Sequence, residues 1–401
     1  MQPSVASSVP NASGVAPSGV LPGFDYQPRT RVVYAAGAVV RLGALVRELG
    51  GTRVLLVTDP GLEAAGHPQK ALASLAEAGL DTLLFDGVEE NPTTRHVQIG
   101  LEAARGHRAD FLVAIGGGSA MDCAKGINFL LTNGGVMADY RKIGKAVRPM
   151  LPSIGIPTTA GTGSEAQSFA IIADEQSHMK MACGDPKAAF RVAILDPELT
   201  VSQPVRVTAV TGIDAVAHAV EAYVTTRRNP LSMTFAREAW RLLEPNLERV
   251  LKQPDNLPAR GAMQLGAHFA GIAIESSMLG ACHACANPLT AHYGITHGIA
   301  VGVMLPHVVR FNGPAVLGLY GDLAHEAGMM NGDLQAAGEV LAQRLSQLLR
   351  AASLPQSLRE LGVSPGILSL LAEEASEQWT AQFNPRPAAQ ADLLNLYEAA
   401  F

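Results

Sequence analysis

Apolar positions follow two successive rhythms along the chain. Between residues 31 and 195, short β-branched or apolar runs at 31–34, 54–58, 82–85, 111–115, 153–157 and 192–195 alternate with stretches of helical spacing such as 39–49 and 120–131. Runs that are apolar throughout, separated by helix-length segments, suit a parallel sheet buried on both faces. The run Arg53-Val54-Leu55-Leu56-Val57-Thr58-Asp59 stops at Pro60-Gly61, as a buried strand does at a ligand-facing edge. From Thr200 onward strand candidates disappear and long amphipathic or wholly apolar helical stretches take over, with Asp196-Pro197 and Gln203-Pro204 punctuating the change. The pattern predicts an α/β N-terminal domain, with a doubly wound parallel sheet, over 25–200 and an all-α C-terminal domain over 201–401. Residues 1–24 are rich in Ser, Pro, Ala, Val and Gly, have no early positive charge and no continuous apolar run, and read as a disordered leader rather than a signal or transit peptide.

Composition narrows the partners. The chain is 401 residues long, 48% hydrophobic and only 16% charged, so it has a large core and much apolar surface to hide. A homo-oligomer, dimer or larger, is expected. A net charge of −6 without a run of Lys or Arg gives no grip on nucleic acid or an anionic membrane. No stretch approaches the ~18 apolar residues that span a bilayer. The four cysteines, Cys123, Cys183, Cys282 and Cys285, are too few and too irregular for a disulfide framework, which points to a reducing, cytoplasmic location.

Two glycine-rich loops are candidate phosphate cradles. The strand at 111–115 runs into Gly116-Gly117-Gly118-Ser119, followed at once by a helical stretch, so close backbone approach and helix N-terminal N–H groups are available to a phosphate. An ordinary tight turn is the alternative reading. A second loop, Pro157-Thr158-Thr159-Ala160-Gly161-Thr162-Gly163-Ser164-Glu165, also leaves a strand and offers hydroxyls to a pyrophosphate or ribose. Asp59, at a strand end, suits a ribose 2′-hydroxyl and repels a 2′-phosphate, which favours NAD over NADP, unless it serves only as a helix cap. No Gly-x-Gly-x-x-Gly follows the first strand, so a standard Rossmann fingerprint is missing.

Metal-binding residue types cluster farther on. In Gly212-Ile213-Asp214-Ala215-Val216-Ala217-His218, Asp214 and His218 are four positions apart and share a helix face among apolar neighbours. A buried carboxylate needs a compensating positive charge, and a divalent cation supplies one; a capping Asp beside a core His is the plainer alternative. His283 and His297 add imidazoles in nearly uncharged surroundings, completing one carboxylate and three histidines, a set suited to Fe²⁺ or Zn²⁺. Cys282 and Cys285 flank His283 in a Cys-x-x-Cys spacing, but there is no second pair to complete a thiolate site, and such small residues fit a packed helix.

These motifs together resemble the iron-containing (group III) alcohol dehydrogenase family, over nearly the whole chain from Arg31. The matching elements are the run from Gly116 through Asp122 to Lys125, the run from Pro157 to Glu165, Gly212-Ile213-Asp214 with His218, and His283 followed by His297-Gly298; Asn91-Pro92-Thr93 and Asn384-Pro385-Arg386-Pro387 are minor matches. The resemblance implies a nucleotide-binding domain and a helical domain with the active site between them. It implies metal binding by Asp214, His218, His283 and His297. It also implies dinucleotide contacts from Asp59, Asn91, Gly117, Gly118, Ser119, Asp122, Thr158, Thr159 and Lys180. The implied reaction is hydride transfer between a small alcohol or aldehyde and NAD(H). Where the family usually carries a histidine four residues after the third ligand, this chain has Asn287, an amide that does not relay a proton near neutral pH but can orient substrate. A catalytically impaired binding or assembly homologue is the alternative that Asn287 raises. Phosphate-handling relatives need basic residues near the metal, and the sequence around the four ligands has almost none.

Overall fold

The structure is a computed structural model that describes residues 22–177, 179–330 and 332–401. The expected leader lies outside the described residues except for its end. Nine strands are described: β1 (Arg31–Tyr34), β2 (Arg53–Val57), β3 (Asp81–Phe85), β4 (Phe111–Gly116), β5 (Lys142–Ile143), β6 (Ser153–Pro157), β7 (Phe169–Ala173), β8 (Lys180–Gly184) and β9 (Val192–Leu195). Helices α1 (Leu42–Glu48), α2 (Pro60–Ala64), α3 (His67–Glu77), α4 (Thr94–His107) and α5 (Gly118–Asn133) alternate with the first of them.

Six strands form one parallel sheet in the order β1-β9-β6-β4-β2-β3. Along β2 and β4 successive side chains point to opposite faces: Leu55, Val57, Leu112 and Ala114 enter one core, and Val54, Leu56, Phe111, Val113 and Ile115 the other. Both faces are dry along these two central strands, as the uninterrupted apolar runs predict. The chain leaves β2 for β3 on one side and returns to β4 on the other, so the strand order reverses at β2 and β4. Ligands of open parallel sheets bind at such a reversal, at the carboxyl ends of the strands.

A second sheet, β5-β8-β7, pairs β7 antiparallel to β8 and is absent from the pattern-based expectation. Strand β5 is only two residues long and β8 opens on the charged Lys180, but β7 is the apolar run Phe169–Ala173, which the expectation passed over.

After β9 every described element is helical: α6 (Val205–Val224), α7 (Pro230–Lys252), α8 (Leu257–Glu275), α9 (Ala281–Tyr293), α10 (His297–Asn312), α11 (Leu317–Glu326), α12 (Ala337–Ala351), α13 (Leu368–Glu377) and α14 (Gln390–Ala399), with short 3-10 turns between. Helix α6 is buried on all sides over most of its length, which makes it the axis of this half. The Asn229 side chain accepts the N–H groups of Leu231 and Ser232, and Pro230 occupies the first turn, so α7 starts where sequence capping rules place it.

Candidate active site

The two glycine-rich loops meet at the sheet reversal. Gly116 ends β4, Gly117 caps α5 in an extended conformation, and Gly118 and Ser119 open the helix. The Thr158 N–H donates to the Gly116 carbonyl at 2.9 Å, and the Thr159 side chain faces Gly117. Asp59 follows β2 alongside: its Oδ1 accepts the Leu62 N–H at 3.1 Å as the cap of α2, while Oδ2 faces Gly116. Asp59 is therefore a helix cap with its second oxygen turned to the first loop. Asn91 lies on an exposed bend with a left-handed φ of 56°.

Asp122 is half-buried with both oxygens occupied. Oδ1 accepts the Ser164 hydroxyl at 2.6 Å and Oδ2 the Ile171 N–H at 3.2 Å. The fully buried Lys125 donates to the Ser164 carbonyl (2.7 Å), the Ser164 hydroxyl (2.9 Å) and the Phe169 carbonyl (2.7 Å). Helix α5 thus pins the second loop through two side chains one turn apart. Lys180, at the start of β8, is exposed at its rim but crowded enough that desolvation pulls its ammonium below the usual value, against Asp122, Asp214 and Glu90. The fold brings this distant lysine into electrostatic range of Asp214, which the local sequence does not reveal.

Four side chains converge in the helical half. Asp214 and His218 come from α6, His283 from the first turn of α9 and His297 from the first residue of α10. The Asp214 Oδ1 lies 3.5 Å from both His218 Nε2 and His283 Nε2. Asp214, His283 and His297 each present a ligand atom within 4.8 Å of the others. Gly298 permits this crossing, because a Cβ there would stand 2.3 Å from the Val210 carbonyl of α6. At 3.5 Å the carboxylate–imidazole separations are too long for good hydrogen bonds. Asp214 Oδ1, His283 Nε2, His218 Nδ1 and His297 Nδ1 are buried with no hydrogen-bond partner among the described residues.

Electrostatics suit a cation there. Burial alone would raise the Asp214 carboxyl, yet His218, His283 and His297 beside it hold it well below the usual carboxylate range. Burial lowers His218, and drives His297 down to about 3, so both rings keep a free lone pair at neutral pH. Burial also opposes charge on His283, but Asp214 and Glu221 on either side raise it to about 9. A dry pocket with an ionised carboxylate and unpartnered imidazole nitrogens fits a divalent cation better than it fits nothing.

The cysteines take no part as thiolates. Cys282 Sγ points at the Val301 carbonyl (3.4 Å), Cys285 is fully buried, and burial pushes the Cys285 thiol up to about 12. All four cysteines are free and buried.

Sequence reasoning missed Glu221, whose Oε2 accepts from His283 Nδ1 at 2.5 Å. The signal was present: Asp214, His218 and Glu221 follow an i, i+4, i+7 pattern on one helix face. Asn287 is half-buried one turn beyond His283, and its amide donates to Gln378 Oε1 at 3.0 Å.

Comparison with known proteins gives the family. Residues 28–197 match the family model described as iron-containing alcohol dehydrogenase, and residues 208–401 match that of the Fe-containing alcohol dehydrogenase family, C-terminal. The chain belongs to the iron-containing alcohol dehydrogenase family. It is an oxidoreductase of alcohol and aldehyde groups. The 1,3-propanediol dehydrogenase of Citrobacter freundii is 36% identical over 94% of this chain and 99% of its own length. The NAD-dependent methanol dehydrogenase of Bacillus methanolicus is 34% identical over 92% and 97%, respectively. Among solved structures, a 1,3-propanediol oxidoreductase superposes with a TM-score of 0.92 at 34% identity, covering 95% of this chain and all of the other. The α/β sheet joined to a helical half is thus the fold of this iron-containing dehydrogenase family.

Proposed function

We propose that this enzyme transfers a hydride between a small primary alcohol, or the matching aldehyde, and NAD(H), with Fe²⁺ or Zn²⁺ held by Asp214, His218, His283 and His297. The observation that carries the reading is the convergence of buried, unpartnered carboxylate and imidazole atoms from three helices. When bound, such a cation acts as a Lewis acid toward the substrate oxygen. The nicotinamide ring supplies the hydride acceptor or donor.

The chain's own residues do the rest. Gly117, Gly118 and Ser119 at the start of α5 offer N–H groups to a phosphate, and Thr158 and Thr159 line the neighbouring loop. Asp59 accepts from an adenosine ribose hydroxyl through the oxygen that does not cap α2, which supports NAD over NADP. Asn91, Asp122 and Lys180 complete the dinucleotide contacts, with Asp122 sharing oxygens already bonded to Ser164 and Ile171. Asn287 orients substrate rather than relaying a proton, because an amide does not titrate.

A cytoplasmic homo-oligomer, dimer or larger, completes the proposal. Free buried thiols fit a reducing compartment. Among the described residues no helix is long and apolar enough to cross a membrane. Strand β1 is a sheet edge with Val32 and Tyr34 exposed, apolar surface that association covers.

The test is NADH absorbance with a panel of alcohols and aldehydes after Fe²⁺ or Zn²⁺ loading. Turnover that depends on the metal supports the proposal. Complete inactivity in protein that binds both metal and NAD supports a catalytically impaired homologue instead.

A further inference from the structure

We infer that Glu221 is a positioning residue that fixes the tautomer of His283, directing the ring proton to Nδ1 so that Nε2 presents a lone pair to the cation; this rests on the ligand set proposed above. Glu221 is 4% exposed and stands on α6, two turns after Asp214. Its Oε1 accepts the Cys282 N–H at 2.8 Å and its Oε2 lies 2.5 Å from His283 Nδ1. A backbone N–H only donates, so the role of Oε1 is fixed. His283 Nε2 is the ring atom that faces Asp214, at 3.5 Å, and it has no hydrogen-bond partner among the described residues.

The first turn of α9 is seated from a second direction. Asn384 Oδ1 accepts the Ala281 N–H at 3.2 Å, and Asn384 is locked to Asn312 by a reciprocal amide pair at 3.0 and 2.7 Å. A Cβ at Gly280 would meet Asn384 Oδ1 at 2.9 Å and Glu221 Oε1 at 3.0 Å, so the turn rests directly on these two groups. His283 sits in that turn. The Asn384 motif near the C-terminus, otherwise without a role, thereby holds the backbone whose side chain Glu221 orients.

A carboxylate is required because both neighbours are donors. In Glu221→Gln the side chain keeps its shape but offers one acceptor and one donor. With the amide oxygen on the Cys282 N–H, the NH₂ faces His283 Nδ1, which must then accept, and the ring proton moves to Nε2, where it blocks ligation. With the amide reversed, two donors confront each other at the start of α9, and the turn carrying His283 loosens. Both arrangements weaken the site while leaving its four ligand residues in the chain.

The experiment uses the full-length protein, stripped of metal and titrated with Co²⁺ and Zn²⁺ against a chromophoric chelator, for the wild type, Glu221→Gln, Glu221→Asp and His283→Ala. Circular dichroism establishes that each is folded. The wild type is expected to bind tightly, His283→Ala not to compete, and Glu221→Gln to bind roughly 10- to 100-fold more weakly. Glu221→Asp keeps an acceptor at both oxygens and is expected to fall between, which preserves the test if the Gln variant does not fold. Ring ¹⁵N shifts of the metal-free form, at a pH high enough for His283 to be neutral, are expected to report the proton on Nδ1 in the wild type and on Nε2 in Glu221→Gln, a change that a merely packing role of Glu221 does not produce. Unchanged affinity in Glu221→Gln, or a wild-type His283 protonated on Nε2, overturns the inference while the ligand set stands. A wild type that takes up neither ion overturns the ligand set, and the positioning role with it.

Discussion

His218 and His283 stack with ring centroids 4.8 Å apart and planes 21° apart, although they come from different helices. Two cationic rings at that separation in a dry site would repel strongly, so the pair is stable only when at least one ring is neutral. Burial already keeps His218 neutral. A divalent ion held by Asp214 and these rings would require both rings to be neutral, each with a lone pair available to it.

Removing a ligand tests that account. His283→Ala is expected to lose bound metal, by elemental analysis, and to lose more activity than the roughly 10- to 100-fold typical of an outer-sphere change. Retention of both metal and full rate would show that His283 is not a ligand.

Metal removal should also be visible in stability. Because the site exists only in the folded chain, adding Zn²⁺ at about 100 times its dissociation constant is expected to stabilise the metal-free protein by about 2.7 kcal/mol. Calorimetry with and without chelator measures it, and an unchanged unfolding midpoint would mean that the folded chain holds no such ion.

Gly298→Ala sets a Cβ 2.3 Å from the Val210 carbonyl, a backbone atom that has little freedom to yield. Overpacking of this kind costs roughly 1–3 kcal/mol, and the displaced α10 carries His297 away from Asp214. Lower thermal stability together with weaker metal binding is expected; a drop in stability alone would mean that the crossing of α10 and α6 does not govern the site.

Asp59→Ser keeps a cap for α2 while removing the charge beside Gly116. Losing a charge-assisted hydrogen bond of ~1.5–3 kcal/mol should weaken NAD roughly ten- to hundredfold and leave NADP improved relative to NAD. Steady-state kcat/KM for the two dinucleotides decides this, and an unchanged ratio refutes the ribose contact.

Buried thiols give a pH dependence of definite sign. Burial pushes Cys183 and Cys285 up to about 12, against about 8.5 in an unfolded chain. Folded-state values above the unfolded ones mean that this contribution to stability is complete below pH ~8.5 and declines from there towards pH ~12, as the unfolded chain alone ionises. Urea midpoints should fall over that window, and a thiol reagent at pH 8 should label no cysteine until the protein is unfolded. Rapid labelling of the native chain would contradict the burial.

Much of this was legible in the residues. Apolar runs such as 111–115 announced the central sheet, and the spacing of Asp214 and His218 announced a shared helix face. What stayed hidden depends on long-range packing. Strand β8 opens on Lys180 and exposes part of one side, and the apolar run Phe169–Ala173 of β7 gives no sign that it pairs in a separate, partly antiparallel sheet. Lys180 comes into electrostatic range of Asp214 only through tertiary packing, so a scan of neighbours along the chain finds no basic residue there. Glu221 was passed over for a different reason: it completes no ligand set, and its value lies in what it does to His283.

The second glycine-rich loop leans on α8, a helix that packs against α6, which carries Asp214 and His218. Gln264 of α8 donates to the Pro157 carbonyl at 2.9 Å, and His268 of α8 meets Glu165 at 3.0 Å. A tilt of α8 would therefore disturb the proposed dinucleotide loop and the proposed metal site together, and neither could drift without misaligning its counterpart.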